Sequence, residues 1–354
     1  MERNHFIDFI KGISIFGVFI IHVALFLFTE ETVSFFSLYA DAIFRFAVPF
    51  FFGVLGYMTY TKYRSLTKWK DFYFNKFMYI VIPFLLWSAL YTKMPIIFEV
   101  IEEKKMNLLL KIVLGYSEVH LYFMVPYITF ILLTPLTVKL FNKLDEKVLS
   151  KLCTWIIAIF VGVLILVEKS TLAGENTIFE ITGARLFIQW IGYFAIGVFI
   201  AINWDKIKIL FGDLKKTKSV VFGGGIFAYI IVTMFYTLTG KIIIPYLTPF
   251  LVLMSLLAFW LLGVLYSKVN HLKAIKGVLI LGRNTFPFYL AHVFFLKVGY
   301  NLFCADKLNE LNMLYTALFG FALTLLYVEF HNKAVNVHKD SVKLIKQRFK
   351  MEES

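Results

Sequence analysis

Lys11 and His22 bracket the stretch KGISIFGVFIIH, whose ten intervening residues carry no charge and one hydroxyl, Ser14. Eleven steps of an α-helix rise about 16 Å and make close to three full turns. Both side chains therefore leave the helix on one side, a cation low and an imidazole high. Asp8 stands three residues before Lys11, a spacing that lets the two pair. An unperturbed imidazole titrates near pH 6.5, which suits a general base acting on a hydroxyl. A histidine that bonds a neighbouring helix would leave the same trace on this helix.

More ionisable groups lie where the flanking sequence is apolar. His120 opens the run HLYFMVP, and His292 ends GRNTFPFYLAH. Arg185 begins RLFIQWIGYFAIG, and Arg45 stands some seven residues into an apolar run. Toward the other end of the same helices lie Lys11, Lys76, Arg283 and Tyr57. A charge inside a bilayer costs at least about 2.5–3.5 kcal/mol on insertion scales, so it is usually paired, wetted or functional. The pattern predicts titratable groups facing outward and cations facing inward. No HExxH, GxSxG or phosphate-loop spacing occurs, and no metal site is expected.

The elements that must position these residues are membrane helices. The 354 residues are 60% hydrophobic and 17% charged, with a mean hydropathy of +0.76. Soluble domains run nearer 45–50% apolar and about 25% charged. A soluble core could not hide that surplus, and spans of about 20 apolar residues recur along the chain. They fall near 7–28, 38–60, 75–93, 121–139, 153–168, 183–203, 218–239, 242–266, 277–298 and 311–331. The fold class is thus all-α, a polytopic membrane protein of about ten transmembrane helices. The first apolar stretch reads as a retained helix, because no small-residue cleavage site follows it.

Orientation follows from Lys and Arg. With the N-terminus inside, the inner segments gather Lys62, Arg64, Lys68, Lys70, Lys139, Lys143, Lys147, Lys206, Lys208, Lys273 and the basic tail. The outer segments hold few, among them Lys93, Lys104, Lys105, Lys111 and Lys297. Both termini are expected in the cytoplasm, with residues 1–331 as the transmembrane domain and 332–354 as a basic tail. The net charge of +13 is thereby explained by topology, and no nucleic-acid partner is expected. Two cysteines, Cys153 and Cys304, support no disulfide framework.

Five segments in order resemble the acyltransferase-3 family of membrane proteins. DFIKGISIFGVFIIH is similar to its first-helix signature, a basic residue and a histidine separated by ten. RFAVPFFFGVLGY (45–57) resembles its second-helix segment, and NKFMYIVIPFLLW (75–87) its basic, proline-containing third helix. HLYFMVPY (120–127) and GRNTFPFYLAH (282–292) resemble two later segments, the second ending in Tyr289 and His292. Lys11 stands where many members have arginine, and Lys76 with Tyr79 where they have an arginine pair.

The resemblance implies transfer of an acyl group, often acetyl, from cytoplasmic acyl-coenzyme A to a hydroxyl, commonly of a surface polysaccharide handled outside. Acyl-CoA is then a co-substrate and no permanently bound cofactor is expected. The implied catalytic residues are His22, Lys11 and His292. Lys11, Lys76, Arg283 and Tyr57 would meet the donor, and Arg45, His120, Arg185 and Tyr289 the acceptor. The expected partners are the bilayer, acyl-CoA and a glycan or envelope acceptor, in a multi-pass bacterial cell membrane. The sequence is compatible with a homo-oligomer. An exporter or flippase of a polysaccharide intermediate is the competing reading, since intramembrane Arg and His also mark substrate pathways.

Overall fold

The computed structural model describes residues 4–26, 35–93, 107–172, 182–212, 223–231, 234, 246–304 and 309–352, and its regular elements are helical. In chain order they are α1 (His5–Phe26), α2 (Phe35–Phe44), α3 (Ala47–Met58), α4 (Trp69–Lys76) and α5 (Ile82–Tyr91). There follow α6 (Leu108–Val113), α7 (Met124–Lys143), α8 (Glu146–Leu172), α9 (Ile191–Ile202), α10 (Trp204–Ile209) and α11 (223–231). The last are α12 (Pro249–Val269), α13 (Ile275–Arg283), α14 (Thr285–Phe303) and α15 (Glu310–Glu352). The chain packs as two units, Met1–Arg283 and Asn284–Ser354.

Among the described residues seven helical stretches are long and apolar enough to cross a bilayer. They are His5–Phe26, Tyr39–Tyr63, Trp69–Tyr91, Val119–Lys143, Glu146–Ser170, Pro249–Val269 and Leu311–Val337. The pair α13 and α14 makes an eighth if counted as one span, and Phe187–Ile202 is a shorter apolar helix. Each coincides with an expected span. The span expected at 218–239 lies largely outside the described residues, as does the start of the one at 242–266. The span expected at 277–298 is not one helix: the backbone leaves helical geometry at Asn284 (φ −114°, ψ 25°). Asn332, where the tail was expected to begin, lies inside α15.

Helix ends are fixed by side chains that the bilayer cannot replace with water. Asn4 Oδ1 accepts from Phe6 N–H at the start of α1, and Asn107, Asp145, Thr248 and Asn309 cap α6, α8, α12 and α15 in the same way. Within spans Thr59, Thr129, Thr134, Thr137 and Thr324 donate to the carbonyl one turn back, so these five hydroxyls do not face hydrocarbon unbonded. Pro83 has no N–H to give, and the chain answers with a π turn over Phe77–Val81 immediately before α5.

Packing in the first unit depends on glycines at two crossings. A Cβ on Gly12 would strike the Val278 backbone, and one on Gly282 the Asp8 backbone, so α1 and α13 meet main chain to main chain. Gly56 and Gly197 bring α3 and α9 together against Phe194 and Gly53 in the same manner. An aromatic core of Phe6, Phe9, Phe46, Phe50, Phe211 and Tyr229 fills the space beside α12. Gly12→Ala pushes chiefly against the Val278 backbone, which cannot step aside, so it is expected to cost about 1–3 kcal/mol. A lower thermal unfolding midpoint of the purified protein checks this.

Segments expected on one side of the membrane also bond one another. Arg64 donates to Asn142 Oδ1 at 3.0 Å and lies 3.7 Å from Glu146, and Asn203 donates to Ser150 Oγ at 3.2 Å. On the other side Arg185 reaches Leu114 and Gly115. These contacts sort the loops into two groups, which the Lys and Arg distribution leads one to expect on opposite sides.

In the second unit α14 and α15 run antiparallel, with Gly299 against Thr316, Gly320 against Leu296 and Asn332 donating to Asn284 Oδ1 at 2.9 Å. Lys297, read from the sequence as an outer-segment lysine, is 1% exposed within α14.

Candidate active site

The first-helix imidazole has a second imidazole beside it. The rings of His22 and His120 lie 5.6 Å apart, edge to face, and both residues are buried. The Tyr91 ring stands 5.2 Å from His120 on its other side. His120 belongs to a 3-10 turn, Val119–Phe123, whose first N–H is accepted by the Glu118 carboxylate. Residues two apart in such a turn point to different sides. His120 accordingly faces His22, while Tyr122 faces the rings of Tyr246 and Trp190 at 6.2 and 6.5 Å.

Tyr246 in turn lies under Arg45, whose Cζ is 4.6 Å from the ring centroid. Arg45 sits at the break between α2 and α3, and Asp41 on the last turn of α2 holds it: Oδ2 accepts from Nε at 2.7 Å, and Oδ1 lies 2.7 Å from Nη2 as an ion pair. Both residues are buried, at 5% and 1% exposure. A buried guanidinium must be paired and hydrogen-bonded, and the fork geometry of arginine matches a carboxylate. Asp41 accepts from the Nε donor, and the guanidinium lies over the Tyr246 ring. The turn at His120 thus joins two polar groups, the imidazole pair and the Asp41–Arg45–Tyr246 cluster.

At the other end of α1, Asp8 is shared by two cations. Lys11 Nζ lies 3.3 Å from one of its oxygens and Arg283 Nε 3.5 Å from the other. The glycine contacts between α1 and α13 make this convergence possible. One carboxylate between two cations leaves a net positive charge, which favours phosphate oxygens. Nearby in sequence, Asn4 donates to the Tyr57 hydroxyl at 3.0 Å and thereby ties the start of α1 to α3.

The remaining predicted residues are placed apart from these. Lys76 donates to the Tyr63 hydroxyl at 3.0 Å over the Tyr63 and Phe72 rings, in a separate aromatic cluster. Arg185 gives its donors to the carbonyls of Leu114, Gly115 and Gly183 and covers the Tyr116 ring at 3.6 Å. Gly115 has φ +64°, a conformation glycine adopts freely, and a Cβ there would meet Leu121. Arg185 therefore holds the loop that carries the His120 turn. Arg185→Lys cannot reproduce the fork, and a loss of about 1–2 kcal/mol is expected with no change in acceptor KM. Thermal unfolding and steady-state rates check the two halves of that statement.

Tyr289 and His292 lie on α14 of the second unit, both buried, with the Tyr289 carbonyl 2.7 Å from His292 Nδ1. The Phe288 ring stacks on His292 at 6.0 Å. Sequence reasoning missed Asp41, Tyr246 and Tyr122. Asp41 was detectable as the acid one turn before Arg45, whereas the tyrosines carry no spacing signal.

The acyltransferase-3 family model, described as an acyltransferase domain, matches residues 4–328. No curated protein and no solved structure matches the chain.

Proposed function

Because the chain belongs to the acyltransferase-3 family of membrane proteins, we propose that it moves an acyl group, acetyl in the first instance, from cytoplasmic acyl-CoA to a hydroxyl of an extracytoplasmic glycan or other envelope acceptor. The observation that carries this reading is the His22–His120 pair, two buried imidazoles in contact on a membrane helix and its neighbour. His22 is the general base: it takes the acceptor proton as the hydroxyl oxygen attacks the thioester carbonyl. The C–O bond forms, the C–S bond breaks, and the proton passes to the departing coenzyme A thiolate. His120 and Arg45 orient the acceptor and steady the developing oxyanion, as polar groups in a dry site do best.

Lys11 and Arg283 bind the phosphates of the donor at the cytoplasmic end, with Tyr57 beside them and Lys76 as a further cation on that face. On α14 of the second unit, the family resemblance makes His292 a further catalytic residue and Tyr289 an acceptor contact. In this reading the chain has ten spans with both termini and the tail 332–354 in the cytoplasm, in a bacterial cell membrane. The test is release of free thiol from acetyl-CoA by the purified protein in lipid nanodiscs, with an envelope glycan extract as acceptor. Thiol release matched by acyl mass on the glycan is expected. No release from any short acyl-CoA would remove the enzyme reading and favour export.

A further inference from the structure

Between α1, α3, α9 and α12 of the first unit runs an apolar slot that none of the residues discussed above accounts for. Its walls include Ile10, Phe50, Gly53, Tyr193 and Ser255, and Tyr57 closes one end. Counted to its open edge it holds about 500 Å³ of atom-free space, yet the centre of a water-sized sphere finds only about 50 Å³. Such a space is narrow, with room for a few water-sized groups. A short linear chain fits such a width.

Two features say what that chain is. The lining is apolar, but Ser255 Oγ is buried and has no hydrogen-bond partner among the described residues. A buried hydroxyl left in that state costs free energy until an acceptor reaches it. The slot's lining residues also neighbour both polar regions. At one end Tyr57 is bonded to Asn4, and Ile7 and Ile10 flank Asp8 and Lys11 along α1. At the other, the Tyr193 hydroxyl donates to the Tyr246 carbonyl at 3.2 Å, below Arg45.

We infer that this slot seats the short acyl group of the donor thioester, with the Ser255 hydroxyl donating to the thioester carbonyl oxygen. The inference rests on the proposed acyl-CoA reaction and adds to it the residues that set acyl length. Gly53 is the wall that measures the chain. A Cβ there would stand 3.6 Å from the Tyr193 carbonyl oxygen, an ordinary contact, so alanine fits the fold and takes its volume from the slot. Gly197 across the same crossing has no such room, because its Cβ would strike the Gly53 backbone.

The test compares kcat/KM for acetyl-, propionyl- and butyryl-CoA in the wild type, Gly53→Ala, Leu256→Ala and Ser255→Ala. Leu256 lines the slot and is 43% exposed, so its truncation widens the slot with little harm to the core. Gly53→Ala is expected to raise the acetyl-to-butyryl ratio on the order of tenfold, and Leu256→Ala to lower it. Ser255→Ala is expected to raise KM for all three donors on the order of tenfold while leaving the ratio alone. Unfolding midpoints within a few degrees of wild type would certify the folds. Ratios equal to wild type in both wall variants, with transfer intact, would overturn the slot and leave the reaction standing. Absence of transfer from every donor in the wild type would overturn the reaction and the slot with it.

Discussion

His22→Asn is expected to lower the rate of acyl transfer by about a hundred- to ten-thousand-fold, the range a positioned general base supplies. Asparagine keeps a polar group of similar size in the helix, so the unfolding midpoint should hold. KM for acyl-CoA should hold as well, because the donor's phosphates are met by Lys11 and Arg283 at the other end of α1. A fall in kcat alone separates the loss of a base from the loss of a binding contact. His120 touches the same imidazole, so His120→Gln should also lower kcat, and the double variant should fall little further than His22→Asn. Residues that act as a unit are not additive. Initial rates with purified protein in nanodiscs measure all three. A variant without His22 that keeps its rate within threefold would contradict the assignment.

The second large effect concerns Asp41. Its carboxylate holds Arg45 with one hydrogen bond and a second close ion-pair contact at a site almost without solvent. Asp41→Ala leaves a guanidinium buried without its counter-ion, and removing one partner of such a pair typically costs about 3–5 kcal/mol. That loss is enough to lower the unfolding midpoint sharply or to prevent recovery of folded protein. Replacing both partners by apolar side chains should recover much of it, since a buried ion pair is often no better than well-packed hydrophobes. The double variant Asp41→Leu/Arg45→Met is therefore expected to fold, yet to remain inactive if Arg45 meets the reacting carbonyl or the acceptor. A double variant no more stable than Asp41→Ala would show that the pair does not act as a unit. A folded double variant with wild-type activity would remove Arg45 from the chemistry.

Much of the architecture could be read from hydropathy, because a bilayer leaves few ways to satisfy a backbone and its spans announce themselves. The pair Asp8 and Lys11 could be read from a separation of three. That Arg283 joins them could not, since the meeting is made by Gly12 and Gly282 letting two helix backbones touch. The encounter of His22 with His120 likewise depends on how α1 and the Val119–Phe123 turn pack, which helix periodicity does not encode. Asp41 was legible and overlooked, because attention went to intramembrane cations and not to the acid one turn before one of them. Arg185 looked like a binding group from its position at a span edge. In the structure its donors also meet the carbonyls of Leu114 and Gly115, a contact that sequence position does not announce. Lys297 stands near the end of an apolar run, which suggests the outer edge, yet it is 1% exposed within α14. Ser255 sits in LVLMSLLAF as a lone hydroxyl in an apolar run. Only the slot beside it gives that serine a meaning.

The most direct test is mass spectrometry of the surface glycans from cells that carry the wild-type chain, a deletion, or His22→Ala in its place. The account predicts that the deletion and the histidine variant lose the same acyl mass increment, about 42 Da if the group is acetyl, from glycans present in normal amount. A His22→Ala strain with wild-type acylation, beside a deletion that changes only how much glycan reaches the surface, would contradict it and mark the protein as an exporter.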